Sequence, residues 1–184
     1  MKNAIIISGA SSSPSDHWFP YIKKHLEKKD YEVWIPRLPL PDYDYDLGVC
    51  VPFILKNGRF TKDTIIIGHS SGSSFILSIL ESISVQIKKA ILVSGFLHRG
   101  GDRPPQAVKE NESLYDWEKI RSHVSDIVFI NSVNDPWGCN DREGRSMFDH
   151  LGGTLIINSE GHMGSTKFNQ PYKVFPLLAN LIND

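Results

Sequence analysis

Thr64-Ile65-Ile66-Ile67-Gly68-His69-Ser70-Ser71-Gly72-Ser73-Ser74 decides the fold. The run Ile65–Ile67 suits a strand buried on both faces. A helical apolar pattern resumes at Phe75 and runs to Leu80. Between them, Gly68 and Gly72 flank Ser70 at two residues on either side, the G-x-S-x-G pattern of a nucleophile elbow. A serine forced into so sharp a strand-to-helix turn needs neighbours without a Cβ, or strand and helix collide. The same turn lifts the hydroxyl clear of the backbone, within reach of a base and a substrate.

Outward from this stretch, strands and helices alternate. Strands are expected at 4–8, 31–35, 90–94, 126–131 and 154–158. Helices are expected from Asp16 or His17 to about Lys29, over 46–57, 115–123 and 141–151, and over 171–182 with a bend at Pro176. Pro36 to Pro41 reads as an extended connector, and Leu97 to Ser113 as an irregular insertion rich in glycine, proline and charge. The pattern predicts an α/β three-layer sandwich: a parallel sheet of about six strands flanked by helices, in a single domain over 1–184 without a large cap domain. In such a sheet every strand-to-helix loop reaches one edge, where ligands bind. That edge gathers Gly9–Ser15, Ser70, Gly95–Phe96, Asp135–Trp137 and His162.

Composition narrows the function classes. With 184 residues, 40% hydrophobic and 22% charged, the chain has the makings of an ordinary globular core. A net charge of −1 creates no field that would recruit nucleic acid or anionic lipid. Lys23, Lys24, Lys28 and Lys29 surround Leu26 at helical spacing, as on a solvated helix face. Cys50 and Cys139 lack the spacing of a metal or redox motif and are expected to be free thiols. No apolar stretch approaches the ~20 residues of a membrane helix, and Gly9 cuts the first apolar run too short for a signal-peptide core. A cytoplasmic protein with no membrane association is the expectation.

A serine hydroxyl becomes nucleophilic when a base takes its proton, and a carboxylate behind an imidazole base fixes its tautomer. Ser70, Asp135 and His162 follow the third, fifth and sixth strands in the order this arrangement requires. Among the other histidines, His69 lies inside the elbow; His25, His123 and His150 fall in or at the ends of helices. His17 and His98 lie in loops at the active edge and are candidates to touch substrate. Asp126 opens a strand at the far edge, Asp141 begins a helix and Asp102 sits in the insertion. Asp135, just past a strand end, is the better acid. The backbone N–H groups of Ser71 and Ala10 are the expected oxyanion donors, and Trp18, Phe96, Trp137 and Met163 are candidates to line an apolar acyl pocket. The chemistry calls for no cofactor and no metal.

With these residues located, the chain resembles the small serine hydrolases of the RBBP9/YdeN type, within the α/β-hydrolase superfamily. The likeness spans nearly the whole chain. It rests on Asp16-His17-Trp18-Phe19-Pro20-Tyr21-Ile22-Lys23, Gly68-His69-Ser70-Ser71-Gly72, Ile91-Leu92-Val93-Ser94-Gly95-Phe96, Asn134-Asp135-Pro136 and Gly161-His162. It implies Ser70 as nucleophile, His162 as base and Asp135 as acid. It also implies a carboxylesterase-like serine hydrolase that cleaves small ester, amide or thioester acyl substrates through an acyl-enzyme. Many superfamily members carry His-Gly after the first strand where this chain has Ser8-Gly9. Two other readings stand beside it: a partner-binding module on a hydrolase scaffold, whose protein partner the sequence does not name, and a flavodoxin-like phosphate or flavin binder using Gly9–Ser13 as its anion loop.

Overall fold

A computed structural model describes residues 1–39 and 45–182 of the chain. Six strands, β1 (Asn3–Ile7), β2 (Glu32–Trp34), β3 (Ile65–His69), β4 (Ile87–Val93), β5 (Val124–Ser132) and β6 (Thr154–Asn158), pair parallel in the order β2-β1-β3-β4-β5-β6. The chain lays β2 on one side of β1 and returns with β3 on the other. The order therefore reverses between β1 and β3, and their C-terminal loops diverge to open a crevice there.

Alternation along each strand divides the core. Ile5, Ile7 and Ile66 pack on one face with α2 (Leu47–Asn57), α3 (Ser71–Ser82), α4 (Trp117–Ser122) and α5 (Asp141–Leu151). Ala4, Ile6, Ile65 and Ile67 pack on the other with α1 (Phe19–Glu27) and α6 (Pro176–Leu181). Both sides of β1 and β3 are thus covered, which is why these strands read as unbroken isoleucine runs rather than as alternating ones. Helix α3 is buried from Ser71 to Leu80. Its serines let it lie close to the sheet: the Ser73 hydroxyl donates to the Val93 carbonyl at 2.9 Å and the Ser74 hydroxyl to that of Phe96 at 2.6 Å.

Two helices differ from the sequence expectation. The first starts at Phe19, with Pro20 in its opening turn, after a turn through Ser13–Trp18. The last starts at Pro176, so 171–175 is not helical. In both, proline occupies the start that its missing N–H and fixed φ favour. The other boundaries shift by a few residues, most at β4 and β5, which begin at Ile87 and Val124. Of the connector expected at Pro36–Pro41, residues 40 and 41 lie outside the described residues.

Candidate active site

Ser70 sits between the end of β3 and the first residue of α3 with φ 54° and ψ −122°. A non-glycine residue held there costs on the order of 1–3 kcal/mol. The surroundings hold it: the Ser70 N–H donates to the Val93 carbonyl at 2.9 Å, and its own carbonyl accepts from Ser73 N–H at 2.9 Å. Flanking residues have no room to spare. A Cβ on Gly68 would stand 2.6 Å from the Gly72 backbone, and one on Gly72 would stand 2.3 Å from the Ile7 carbonyl oxygen.

His162 lies on the loop after β6 and Asp135 on the turn after β5, both buried. Their side chains meet at 2.8 Å, Nδ1 to Oδ2. A carboxylate oxygen accepts, so Nδ1 carries the proton and Nε2 is left with its lone pair. The other carboxylate oxygen of Asp135 accepts from the Trp137 N–H at 2.8 Å. Asn134 ties the two loops together: its Oδ1 accepts from Gly161 N–H and its Nδ2 donates to the Ser159 carbonyl, each at 3.0 Å. The His162 carbonyl is gripped from beneath by His69 Nε2 at 2.9 Å and by the Ser94 hydroxyl at 3.0 Å. Ends of β3, β4 and β5 thereby fix the placement of a residue carried on a loop.

His69 and His17 support this edge. His69 donates from Nε2, leaving Nδ1 buried without a hydrogen-bond partner among the described residues. His17, with φ 47°, donates from Nδ1 to the Pro171 carbonyl at 3.2 Å and accepts at Nε2 from the Ser12 hydroxyl, also at 3.2 Å. The loop after β1 and the segment before α6 are joined through this one ring. Burial is the main cause that lowers both imidazoles from the ordinary value of 6.5, His69 far more than His17. Their folded pKa values lie below the unfolded one. The stability they contribute is therefore complete above about pH 6.5 and is lost as the pH falls through the folded values. The urea midpoint is expected to drop between about pH 7.5 and pH 5.5, before most carboxylates titrate. A midpoint constant over that interval would contradict the assignment.

A cavity of about 950 Å³ opens over these groups, lined by Ala10, Ser70, His162 and Trp137 and walled by Ser11, Ser12, Ser13, Arg37, Leu38, Tyr45, Arg103, Thr166 and Lys167. The loop Gly9–Ser13 thus contributes its wall to the cavity that holds Ser70. Ala10 N–H and Ser71 N–H have no hydrogen-bond acceptor among the described residues. Among the described residues no hydrogen bond joins the Ser70 hydroxyl to His162; both side chains face the one cavity.

Three of the four residues expected along an apolar acyl pocket lie elsewhere. Trp18, Phe96 and Met163 are fully buried core residues, and Trp18 Nε1 donates to the Met163 carbonyl at 3.0 Å. Only Trp137 reaches the cavity. Large apolar side chains near a catalytic edge carry the same sequence signal whether they fill the core or a pocket. His17 and His98 were expected to reach substrate, yet neither lines this cavity. The rings of His17 and His98 are engaged instead with Ser12 and Pro171, and with Glu143.

Sequence reasoning missed Glu143. From the first turn of α5 it accepts at one oxygen from the N–H groups of Leu97 and His98, at 2.8 and 3.1 Å, and at the other from Arg103 at 2.6 Å. These bonds hold its carboxyl below the ordinary value of 4.5 against the opposing effect of burial. Both side chains of the Arg103 pair are about nine-tenths buried. Glu143→Ala strands the arginine, and about 3–5 kcal/mol is the usual cost of breaking such a pair. The insertion 97–113 should then become the first site of limited proteolysis. Unaltered melting and cleavage in that variant would show that the insertion is held otherwise.

A family model described as serine hydrolase matches residues 4–180, and the chain belongs to that family. Serine hydrolase RBBP9 of Rattus norvegicus is 26% identical over 178 residues, covering 93% of this chain and 92% of the relative. The crystal structure of the ydeN gene product from B. subtilis superposes with a TM-score of 0.85 at 21% identity, over 100% of this chain and 97% of that one. A methylesterase from Arabidopsis, MES16, shares the fold at a TM-score of 0.67 and 13% identity, with coverage of 100% and 99%. The chain is accordingly a serine hydrolase of the RBBP9/YdeN type on an α/β-hydrolase fold. No helix among the described residues is long and apolar enough to cross a membrane.

Proposed function

We propose that this protein hydrolyses small esters through an acyl-enzyme, with Ser70 as nucleophile, His162 as base and Asp135 as acid. The observation that carries this reading is the buried 2.8 Å contact between His162 and Asp135, facing the cavity that holds the strained Ser70. With the proton fixed on Nδ1, His162 Nε2 takes the Ser70 proton as the hydroxyl oxygen attacks the substrate carbonyl. The hydrogen bond between them forms as substrate enters, since such contacts are commonly loose before binding. The negative charge of the tetrahedral intermediate is met by the N–H groups of Ala10 and Ser71. His162 then returns its proton to the leaving alcohol. Water, activated by the same nitrogen, releases the acid and restores Ser70.

The walls favour short acyl groups. Serines, a threonine and cations outnumber apolar side chains around the cavity, and of the large side chains near it Trp18, Phe96 and Met163 are buried away, leaving Trp137 and Tyr45. A series of p-nitrophenyl esters tests this. The acetate and butyrate should exceed the decanoate in kcat/KM by at least about tenfold, since a longer chain would have to lie along walls interrupted by serines and cations. A rate that climbs steadily with chain length would reverse the assignment. Labelling of Ser70 by a fluorophosphonate tests the chemistry itself, because only an activated serine reacts. Absence of labelling in folded protein would favour the partner-binding reading.

A further inference from the structure

Cys139 is a fully buried thiol that the proposed hydrolysis leaves unused. It lies at the foot of the turn that carries Asp135. One ligand atom from each of Asp135, Cys139 and His162 lies within 4.8 Å of the other two, and all three residues are buried. Burial raises the thiol pKa well above 9.0, and the neighbouring Asp135 charge adds to that shift. Sulfur, imidazole nitrogen and carboxylate oxygen therefore converge at His162, which lines the cavity together with Ser70.

We propose that Asp135, Cys139 and His162 form a site for a thiophilic divalent cation of the zinc class, and that its occupancy switches the hydrolase off. The switching rests on the function proposed above; the binding does not. Three protein ligands of N, O and S type with a fourth position open make a zinc donor set. Zinc bonds of about 2.1 Å to N and O set those ligands about 3.4 Å apart in a tetrahedron. From the 2.8 Å between His162 Nδ1 and Asp135 Oδ2, the opening is about 0.6 Å. Sulfur has to close on both partners by up to about 1.2 Å, as a Zn–S bond of about 2.3 Å requires. A Cβ on Gly138, just before Cys139, would meet nothing within 4 Å, so the turn is unobstructed on that side.

Binding alters the base by moving protons. The Cys139 thiol releases its proton to water and binds as thiolate. The ion takes the place of the proton on His162 Nδ1, and a neutral imidazole bound through Nδ1 carries its proton on Nε2. That is the nitrogen which has to accept from Ser70, so the ring is locked in the tautomer that cannot serve as base. No oxidation or reduction is involved.

Zinc chloride titrated into chelator-treated protein, followed by calorimetry and in parallel by p-nitrophenyl acetate hydrolysis, tests the proposal. One zinc per chain is expected, with hydrolysis lost at saturation and restored by EDTA. Magnesium at equal concentration should do nothing, because it avoids sulfur. Cys139→Ser should weaken zinc binding by at least about tenfold, as hydroxyl replaces a soft ligand, whereas Cys50→Ser should not. Ser70→Ala should still bind zinc. Unchanged affinity in Cys139→Ser, or stoichiometric binding that leaves hydrolysis intact, would overturn the proposal. Should Cys139→Ser fail to fold, cobalt bound to the wild-type protein decides: a sulfur-to-cobalt charge-transfer band is expected, and its absence is fatal to the site. A wild-type protein that binds zinc but never hydrolyses an ester retains the site and sinks the proposed function instead.

Discussion

Ser70→Ala protein should fold as the wild type does and lose roughly 10⁴- to 10⁶-fold in kcat on a short p-nitrophenyl ester. The hydroxyl is the only atom removed, at a position that faces the cavity rather than the core. The strained backbone that presents it is kept, since alanine tolerates that conformation no worse than serine. His162→Ala should cost about as much, because Ser70 then has no acceptor for its proton. Asp135→Asn should cost about 10⁴-fold, since an amide facing Nδ1 favours the wrong tautomer. Joining Ser70→Ala to His162→Ala should add little, because the three groups act as a unit. Steady-state hydrolysis with circular dichroism as the folding control gives the comparison. A folded Ser70→Ala protein with wild-type turnover would remove the reaction from this site.

Gly72→Ala should be severely damaging, because the added methyl meets backbone. Its Cβ would stand 2.3 Å from the Ile7 carbonyl oxygen and 2.7 Å from that of Ser8. Both belong to the end of β1 and the residue after it, backbone that pairs with the adjacent β3. Neither can swing aside as a flexible side chain would. Relief requires α3 to withdraw from the sheet, giving up the Ser73 and Ser74 contacts with Val93 and Phe96. A loss above about 4 kcal/mol is expected, in the range reserved for severe backbone conflict. Thermal melting and soluble yield report it. A melting temperature within about 3 °C of wild type would mean that the elbow relaxes at less than about 1 kcal/mol.

The architecture was legible because its signals are local. Isoleucine runs in β1 and β3, helical spacing in α3 and α5, and glycines around Ser70 each act over a few residues. Their alternation then implied the parallel sheet and the shared edge. The meeting of Asp135 and His162 was legible because each follows a strand directly, so topology alone brings their loops together. Glu143 was not, because its partners at 97, 98 and 103 are some forty residues away and its place in α5 reads as a helix's acidic first turn. Trp18, Phe96 and Met163 failed for a different reason. Apolar side chains announce burial, but whether they are buried against protein or available to a substrate depends on the final packing.

The separate anchoring of the two halves of the site has a consequence for how new specificities arise. The His162 carbonyl is held by His69 and Ser94, from the ends of β3 and β4. The insertion that contributes Asp102, Arg103 and Pro104 to the cavity is clasped by Glu143 on α5, through different bonds. Reshaping the roof therefore leaves the grip on the His162 carbonyl untouched. A graft that replaces 104–113 and keeps Leu97, His98 and Arg103 on Glu143 is a route to an altered cavity roof with the remainder of the site carried over intact.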